Sequence, residues 1–82
     1  MLRTIVLPIA EIYIPVKRRT RLDPKIVTEL AESILVDGQQ TPILVRRDGD
    51  RYVLIEGLHR LEACKALGES TIKGYIVQVR RH

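Results

Sequence analysis

A glycine and two basic residues stand where an apolar run gives way to a helical pattern. The run 52–55 predicts a strand, and the apolar residues that recur after Gly57 predict a helix. These residues are Leu58, Leu61, Cys64 and Leu67. A turn from strand to helix directs the first backbone N–H groups of the helix, with the positive end of its dipole, toward one place where an anion binds. His59 and Arg60 lie on that first turn, so we predict a phosphate-binding site at Gly57, Leu58, His59 and Arg60.

The same tetrapeptide also has an ordinary structural interpretation. Glycine before a helix is common, and a basic pair on a first turn is more often solvated than bound to a ligand. The choice between the two depends on the rest of the chain.

Composition predicts one small domain that spans residues 1–82. Apolar residues make up 45% of the chain and charged residues 29%, which is typical of a folded protein. No apolar run reaches the ~20 residues that a membrane span needs, and the N-terminus shows no signal-peptide pattern, so we expect a cytoplasmic protein without a membrane contact. A domain of this size has a thin margin of stability, which favours a homodimer or a partner protein.

Cysteine and histidine are too few for a disulfide or a zinc site. Cys64 is the single cysteine, and His59 and His82 are the two histidines. We therefore expect no internal disulfide and no structural zinc.

The positive charge of the chain favours an anionic partner. Fourteen Lys and Arg residues against ten Asp and Glu residues give a net charge of +4. Lys17, Arg18, Arg19 and Arg21 form the densest basic run, which is either a solvated face or a surface for the DNA backbone. The three aromatic residues are all tyrosines in strand-like runs, which leaves little from which to build a base-stacking platform.

The order of the elements predicts an α+β domain with a small mixed sheet. Asp23-Pro24 favours a helix start and Gly38 a helix end, so the first main helix spans about 24–37. Its predicted apolar face contains Ile26, Val27, Leu30, Ile34 and Leu35. The second main helix spans about 58–67. Strands are predicted near 3–7, 12–14, 43–45, 52–55 and 72–79, with an Asp-Gly hairpin turn at 48–50 and a basic loop at 17–22.

Several separate blocks of the chain match one known family in order and spacing. They are Arg19, Leu30 to Ile34 followed by Gly38, Pro42-Ile43 with Val45-Arg46, and Gly57 with Arg60, Ala63 and Leu67-Gly68. On these residues the chain, from about Ile9 to Val77, resembles the ParB-like N-terminal domain of the ParB/sulfiredoxin superfamily. The resemblance favours phosphate binding at residues 57–60 over the ordinary structural interpretation.

The resemblance implies a ParB/sulfiredoxin-like fold and a nucleotide site. In ParB-like proteins one loop lies against the base and sugar, and the glycine-to-helix turn holds the phosphates, commonly of CTP with magnesium. The nucleoside-facing residues that carry over are Gln40, Thr41, Pro42 and Ile43. Gly57 to Arg60 then hold the phosphates, and Arg19 matches the arginine that closes over the site. The implied cofactor is a nucleoside triphosphate with Mg²⁺, either CTP or ATP.

Two departures from the family pattern limit the functions that carry over. Sulfiredoxins have their nucleophilic cysteine directly before His-Arg, where this chain has Leu58, and Cys64 falls on the apolar face of the helix. We therefore expect no sulfinic acid reductase activity. Chromosome-segregation ParB proteins have Glu-Arg-Arg after the glycine, followed by a helix-turn-helix domain, whereas this chain has Leu-His-Arg.

A third branch of the superfamily consists of small-molecule kinases with an Asp-Gly-x-His-Arg pattern, and Glu56 occupies the place of its acid. A carboxylate at a strand end beside phosphates holds magnesium or acts as a general base toward a hydroxyl. An acid near two cations is also commonly an ion-pair partner. Glu56 is thus the candidate catalytic residue and the one candidate protein ligand for magnesium.

These features leave three hypotheses about function. The first is a nucleotide-binding regulatory module that acts in DNA partition, plasmid or phage maintenance, or transcription control. The second is an enzyme, either a phosphotransferase that uses Glu56 or a nuclease, although the sequence has no cluster of acids suited to two metals. The third is a nucleotide-independent domain that binds the DNA backbone through Lys17, Arg18 and Arg21.

Overall fold

The computed structural model of the protein describes residues 3–39 and 41–78, which form five strands and three α-helices. In chain order the elements are β1 (Ile5–Pro8), a short 3-10 helix (Ile9–Glu11), β2 (Ile12–Tyr13), α1 (Val16–Arg19), α2 (Pro24–Asp37), β3 (Ile43–Asp48), β4 (Arg51–Glu56), α3 (Leu58–Ala66) and β5 (Thr71–Ile76). None of the helices in the described ranges is long and apolar enough to cross a lipid bilayer.

All five strands belong to one mixed sheet with the order β1-β5-β3-β4-β2. β3 runs parallel to β5 and antiparallel to β4, while β1 is antiparallel to β5 and β2 is parallel to β4. β1 and β2 are therefore the edge strands, and edges are where a sheet tolerates proline, as at Pro8. The predicted α+β class with a small mixed sheet is confirmed.

Both ends of α2 follow from its local sequence. The Asp23 carboxylate accepts a hydrogen bond of 2.9 Å from the Lys25 amide, and Pro24 occupies the first helical position. At the other end the Gly38 amide donates to the Ile34 carbonyl over 2.7 Å. The prediction of a helix over 24–37 is confirmed.

Two predicted segments need correction. Residues 16–19, in a region predicted as a basic loop, form the single helical turn α1, because the Arg18 and Arg19 amides both donate to the Pro15 carbonyl. The last strand, β5, ends at Ile76, and Val79 at the predicted end lies outside the described residues.

The core lies between the sheet and α3. Leu58, Leu61 and Cys64 are buried on one face of α3. They pack with the strand residues Leu7, Ile43, Val45, Leu54 and Ile72.

α2 packs against α3 but contributes no fully buried residue. Ile34 is partly buried against the core, whereas the Leu35 side chain is 75% exposed. Leu35, a residue of the predicted apolar face, is thus left largely exposed to solvent.

Candidate functional site

The turn between β4 and α3 has the geometry of an anion site. The Leu61 amide donates to the Gly57 carbonyl over 2.9 Å, which is the hydrogen bond that opens the helix. No side-chain hydrogen bond caps the start of α3 within the described part of the chain. The amides before Leu61 have no carbonyl one turn earlier within the helix, so they are donors suited to a ligand oxygen.

Gly57 is required at this turn for two separate reasons. Its φ of 109° lies in the region that disfavours side chains, and a Cβ built there would lie 2.6 Å from Cγ2 of Ile43. The missing Cβ thus makes room for a core side chain. The space that the missing Cβ leaves is filled by Ile43 and not by a ligand.

A cavity of about 340 Å³ lies in front of this turn. It is lined by Thr41, Pro42 and Leu44 from one segment and by Glu56, Gly57 and Arg60 from another. Five of these six residues were predicted from the sequence as site residues. A hydroxyl, a guanidinium and a helix N-terminus in one cavity are the donors that a phosphorylated ligand needs.

Among the predicted site residues, two have core side chains and one lies outside the described residues. Ile43 was predicted to face a nucleoside, but its side chain is fully buried in the core against Gly57. The Leu58 side chain is also in the core, so at this position only the backbone amide is available to a phosphate. Gln40 lies outside the described residues.

His59 and Arg60 diverge after the turn. Arg60 is half-buried and lines the cavity, whereas Nε2 of His59 accepts a hydrogen bond of 3.0 Å from the Asp23 amide. An imidazole nitrogen that accepts is unprotonated, and in this conformation it is occupied by the start of α2. His59 therefore joins two helices and does not line the cavity.

The basic run 17–21 does not line this cavity either. Lys17, Arg18 and Arg21 line a second cavity of about 400 Å³ together with Arg46. Arg19, predicted to close over the nucleotide, is exposed and lines neither cavity.

Gln39 is a residue of the site region that sequence reasoning missed. Its Oε1 accepts from the Lys73 amide over 2.9 Å, and its Nε2 donates to the Lys73 carbonyl over 2.9 Å and to the Thr41 carbonyl over 3.1 Å. The side-chain amide thus pairs with β5 as a strand residue does and fixes the segment that carries Thr41. The partners are 34 residues apart in the chain, and the sequence contains no signal for such a contact.

Metal binding and thiol chemistry are both restricted by the structure. Among residues 3–39 and 41–78, no three His, Cys, Asp or Glu side chains lie together as metal ligands do. The exposed carboxylate of Glu56 suits magnesium held mainly by phosphate oxygens and water. Burial raises the pKa of the Cys64 thiol above its usual value, Glu69 adds to the rise and Arg60 opposes it. Cys64 is therefore a core residue and not an activated nucleophile.

Two tyrosine rings near the hairpin each have an arginine guanidinium over one face. The Arg51 guanidinium lies 4.2 Å from the centre of the Tyr13 ring, and that of Arg47 lies 5.1 Å from the Tyr52 ring. Both distances are within the range of cation–π pairs, so these two arginines and these two rings interact with each other.

Comparison with known proteins assigns a family. Residues 3–82 match the ParB N-terminal domain. The chain is 37% identical over 65 residues to the probable chromosome-partitioning protein ParB of Campylobacter jejuni. It is 41% identical over 61 residues to the chromosome-partitioning protein ParB of Myxococcus xanthus. These matches cover 79% and 74% of this chain but only 23% and 21% of the two relatives.

Solved structures share the fold. Sulfiredoxin from Arabidopsis thaliana has a TM-score of 0.84 at 35% identity, with 94% of this chain and 86% of that chain covered. The C-terminally truncated ParB from Caulobacter crescentus, complexed with CTP-gamma-S, has a TM-score of 0.82 at 22% identity, with 95% and 46% covered. A free serine kinase in complex with AMP has a TM-score of 0.76 at 19% identity, with 92% and 31% covered.

These similarities define the class of fold as ParB/sulfiredoxin-like. The chain belongs to the family of ParB N-terminal domains.

Proposed function

We propose that this domain binds a nucleoside triphosphate with Mg²⁺ in the cavity in front of α3. Thr41 and Pro42 contact the nucleoside, while Arg60 and the backbone amides after Gly57 hold the phosphates. Glu56 is the protein group nearest to the place of the magnesium. We further propose that residues 1–82 form one domain that acts in the cytoplasm.

One observation carries this proposal. Two segments that are distant in the sequence, 41–44 and 56–60, line the same cavity at a helix N-terminus. A polyphosphate supplies the negative charge that Arg60 and the helix dipole attract. The CTP-gamma-S bound to the Caulobacter crescentus protein supports a nucleotide as the ligand class. We expect CTP to bind most tightly of the four triphosphates, with ATP as the alternative.

The proposed role of binding is regulatory. Occupation of the site switches association of the domain with a second copy, a partner protein or DNA. The match to chromosome-partitioning proteins supports a role in DNA partition, with plasmid or phage maintenance and transcription control as related settings.

Calorimetric titration with each of the four ribonucleoside triphosphates and magnesium tests the proposal. Arg60→Ala removes charge-assisted hydrogen bonds and should weaken binding about tenfold or more. Lys65→Ala is the matched control, because Lys65 lies on the same helix, pairs with Glu62 over 3.2 Å and does not line the cavity. Equal affinity of the wild type and Arg60→Ala, or no binding of any triphosphate, would contradict the proposal.

Phosphoryl transfer is the second candidate function, and the place of Glu56 in the same cavity favours it. An exposed carboxylate beside bound phosphates serves as a base toward an acceptor hydroxyl. Product analysis after incubation with triphosphate and small hydroxylated acceptors tests this function. If Glu56→Gln abolishes turnover while nucleotide binding persists, phosphoryl transfer is supported. If the triphosphate is intact after incubation, the regulatory role of binding is the function that is left.

A further inference from the structure

The second cavity, of about 400 Å³, has basic side chains around its rim and strand residues at its floor. Lys17, Arg18 and Arg21 lie on one side of it and Arg46 lies on another, and no lining residue is acidic. Its floor is formed by residues 53–55 of β4, of which Ile55 is the most exposed. We call this surface the basic groove. Its lining residues do not overlap with those of the nucleotide cavity.

The basic groove lies where the outer edge of β4 loses its partner. β2 pairs with β4 only at Tyr52 and Val53, and the chain then turns away at Pro15 into α1. β4 continues to Glu56. Beyond Val53, therefore, no strand in the described part of the chain pairs with that edge. An unpaired edge offers backbone N–H and C=O groups to an extended segment of another chain.

Arg46 lies on the same face of the sheet as this opening. Arg46 and Val53 are directly opposite each other in the β3–β4 ladder, so their side chains share a face. Strand side chains alternate, so Ile55 lies on that face as well. A strand added at the edge would place every second side chain next to Val53, Ile55 and the guanidinium of Arg46.

We propose that the basic groove binds an extended acidic segment of a partner protein, which adds to the outer edge of β4. Its carboxylates pair with Arg46 and with the cations of α1 and the turn after it, and its aliphatic side chains cover the floor. The charge of the groove fits such a segment, because four cations face it without a single acid among the lining residues. This proposal does not depend on nucleotide binding.

Nucleic acid fits the basic groove less well than a peptide. No aromatic side chain lines the groove, so single-stranded bases have nothing on which to stack. The floor is formed by aliphatic strand residues, which contribute nothing to phosphate contacts. A peptide strand, in contrast, uses the apolar floor, the cations and the unpaired edge together.

Fluorescence anisotropy with labelled peptides tests the proposal. The probe is a short blocked peptide in which aspartate and valine alternate at every second position and threonine fills the positions between them, so that aspartate and valine share one face of the added strand. Three comparison peptides have serine for valine, lysine for aspartate, or N-methyl groups on every second amide. We expect the Asp/Val peptide to bind, the lysine peptide not to bind, and the other two to bind about tenfold more weakly, because each lacks the apolar contacts or the backbone donors.

Matched variants locate the binding surface. Arg46→Gln and Arg18→Gln should each weaken binding of the Asp/Val peptide about fivefold, since each removes a charge-assisted contact. Lys65→Gln, with the same change in net charge but outside the groove, should change it less than about twofold. Equal affinity for the N-methylated peptide would overturn strand addition. Tighter binding of an oligonucleotide with the same dependence on Arg46 would overturn the peptide as the occupant.

Discussion

Gly57→Ala tests the architecture on which the nucleotide cavity depends. The alanine Cβ would meet Cγ2 of Ile43 at 2.6 Å and Cβ of Ile43 at 3.0 Å, and the Ile43 side chain is fully buried in the core. The overpacking costs about 1–3 kcal/mol. The positive φ of 109° adds about 1–2 kcal/mol for a residue with a side chain. We therefore expect the free energy of unfolding to fall by about 2–5 kcal/mol, out of about 4–12 kcal/mol for a chain of 82 residues.

Gly68→Ala is the matched control for this substitution. Gly68 also has a positive φ, of 77°, but a Cβ there would meet nothing within 4 Å. This variant should therefore show only the backbone cost of about 1–2 kcal/mol. Urea denaturation gives both values, and thermal melting should separate the two variants by about 4–8 °C for each kcal/mol of difference. If the two variants lose the same stability, the contact with Ile43 does not explain the glycine, and our account of the turn is wrong.

Three further predictions concern single contacts. Gln39→Ala should lower the free energy of unfolding by about 1–2 kcal/mol, because the β5 backbone loses two hydrogen bonds. Gln39→Glu should keep the bond from the Lys73 amide and lose those that Nε2 donates to the Thr41 and Lys73 carbonyls. An unchanged melting temperature for both would contradict this role. His59→Ala should cost about 0.5–1.5 kcal/mol and speed hydrogen exchange at the Asp23 amide, which loses its acceptor. The raised pKa of Cys64 predicts that stability falls as pH rises past the usual thiol value of 9.0, because the unfolded chain releases its proton first. Urea denaturation below and above that pH should show a smaller decline in Cys64→Ala.

The parts of the fold that depend on short-range signals were predictable from the sequence. Asp23 and Pro24 fix the start of α2 within two residues of chain, and Gly38 fixes its end. The hairpin between β3 and β4 likewise follows from Gly49, which opens the two-residue turn Gly49-Asp50 at a positive φ of 61°. In each case the residues that determine the conformation are neighbours, so their pattern is visible without a structure.

The parts that depend on distant contacts were not predictable from single residues. Ile43 faces inward because it lies opposite Gly74 in the parallel ladder and next to Gly57, and neither neighbour is close in sequence. Leu35 has helical spacing, yet no element among residues 3–39 and 41–78 covers its side of α2, and its side chain remains exposed. The cavity joins two segments that periodicity alone could not bring together, and only the family resemblance assigned both of them to one candidate site.

Arg60 in the cavity and Cys64 in the core lie one turn apart on α3, so the pKa of Cys64 can report ligand binding at Arg60. Arg60 lines the cavity, and its charge lowers the pKa of the buried Cys64 thiol against the larger effect of burial. A phosphate bound to Arg60 offsets that charge, so the pKa of Cys64 should rise further when the site is filled. The pH dependence of thiolate absorbance, recorded with and without magnesium and CTP, measures the shift. Arg60→Ala should raise the pKa without ligand and reduce the response to it. A shift of the same size in Arg60→Ala at saturating ligand would mean that the ligand does not act through Arg60.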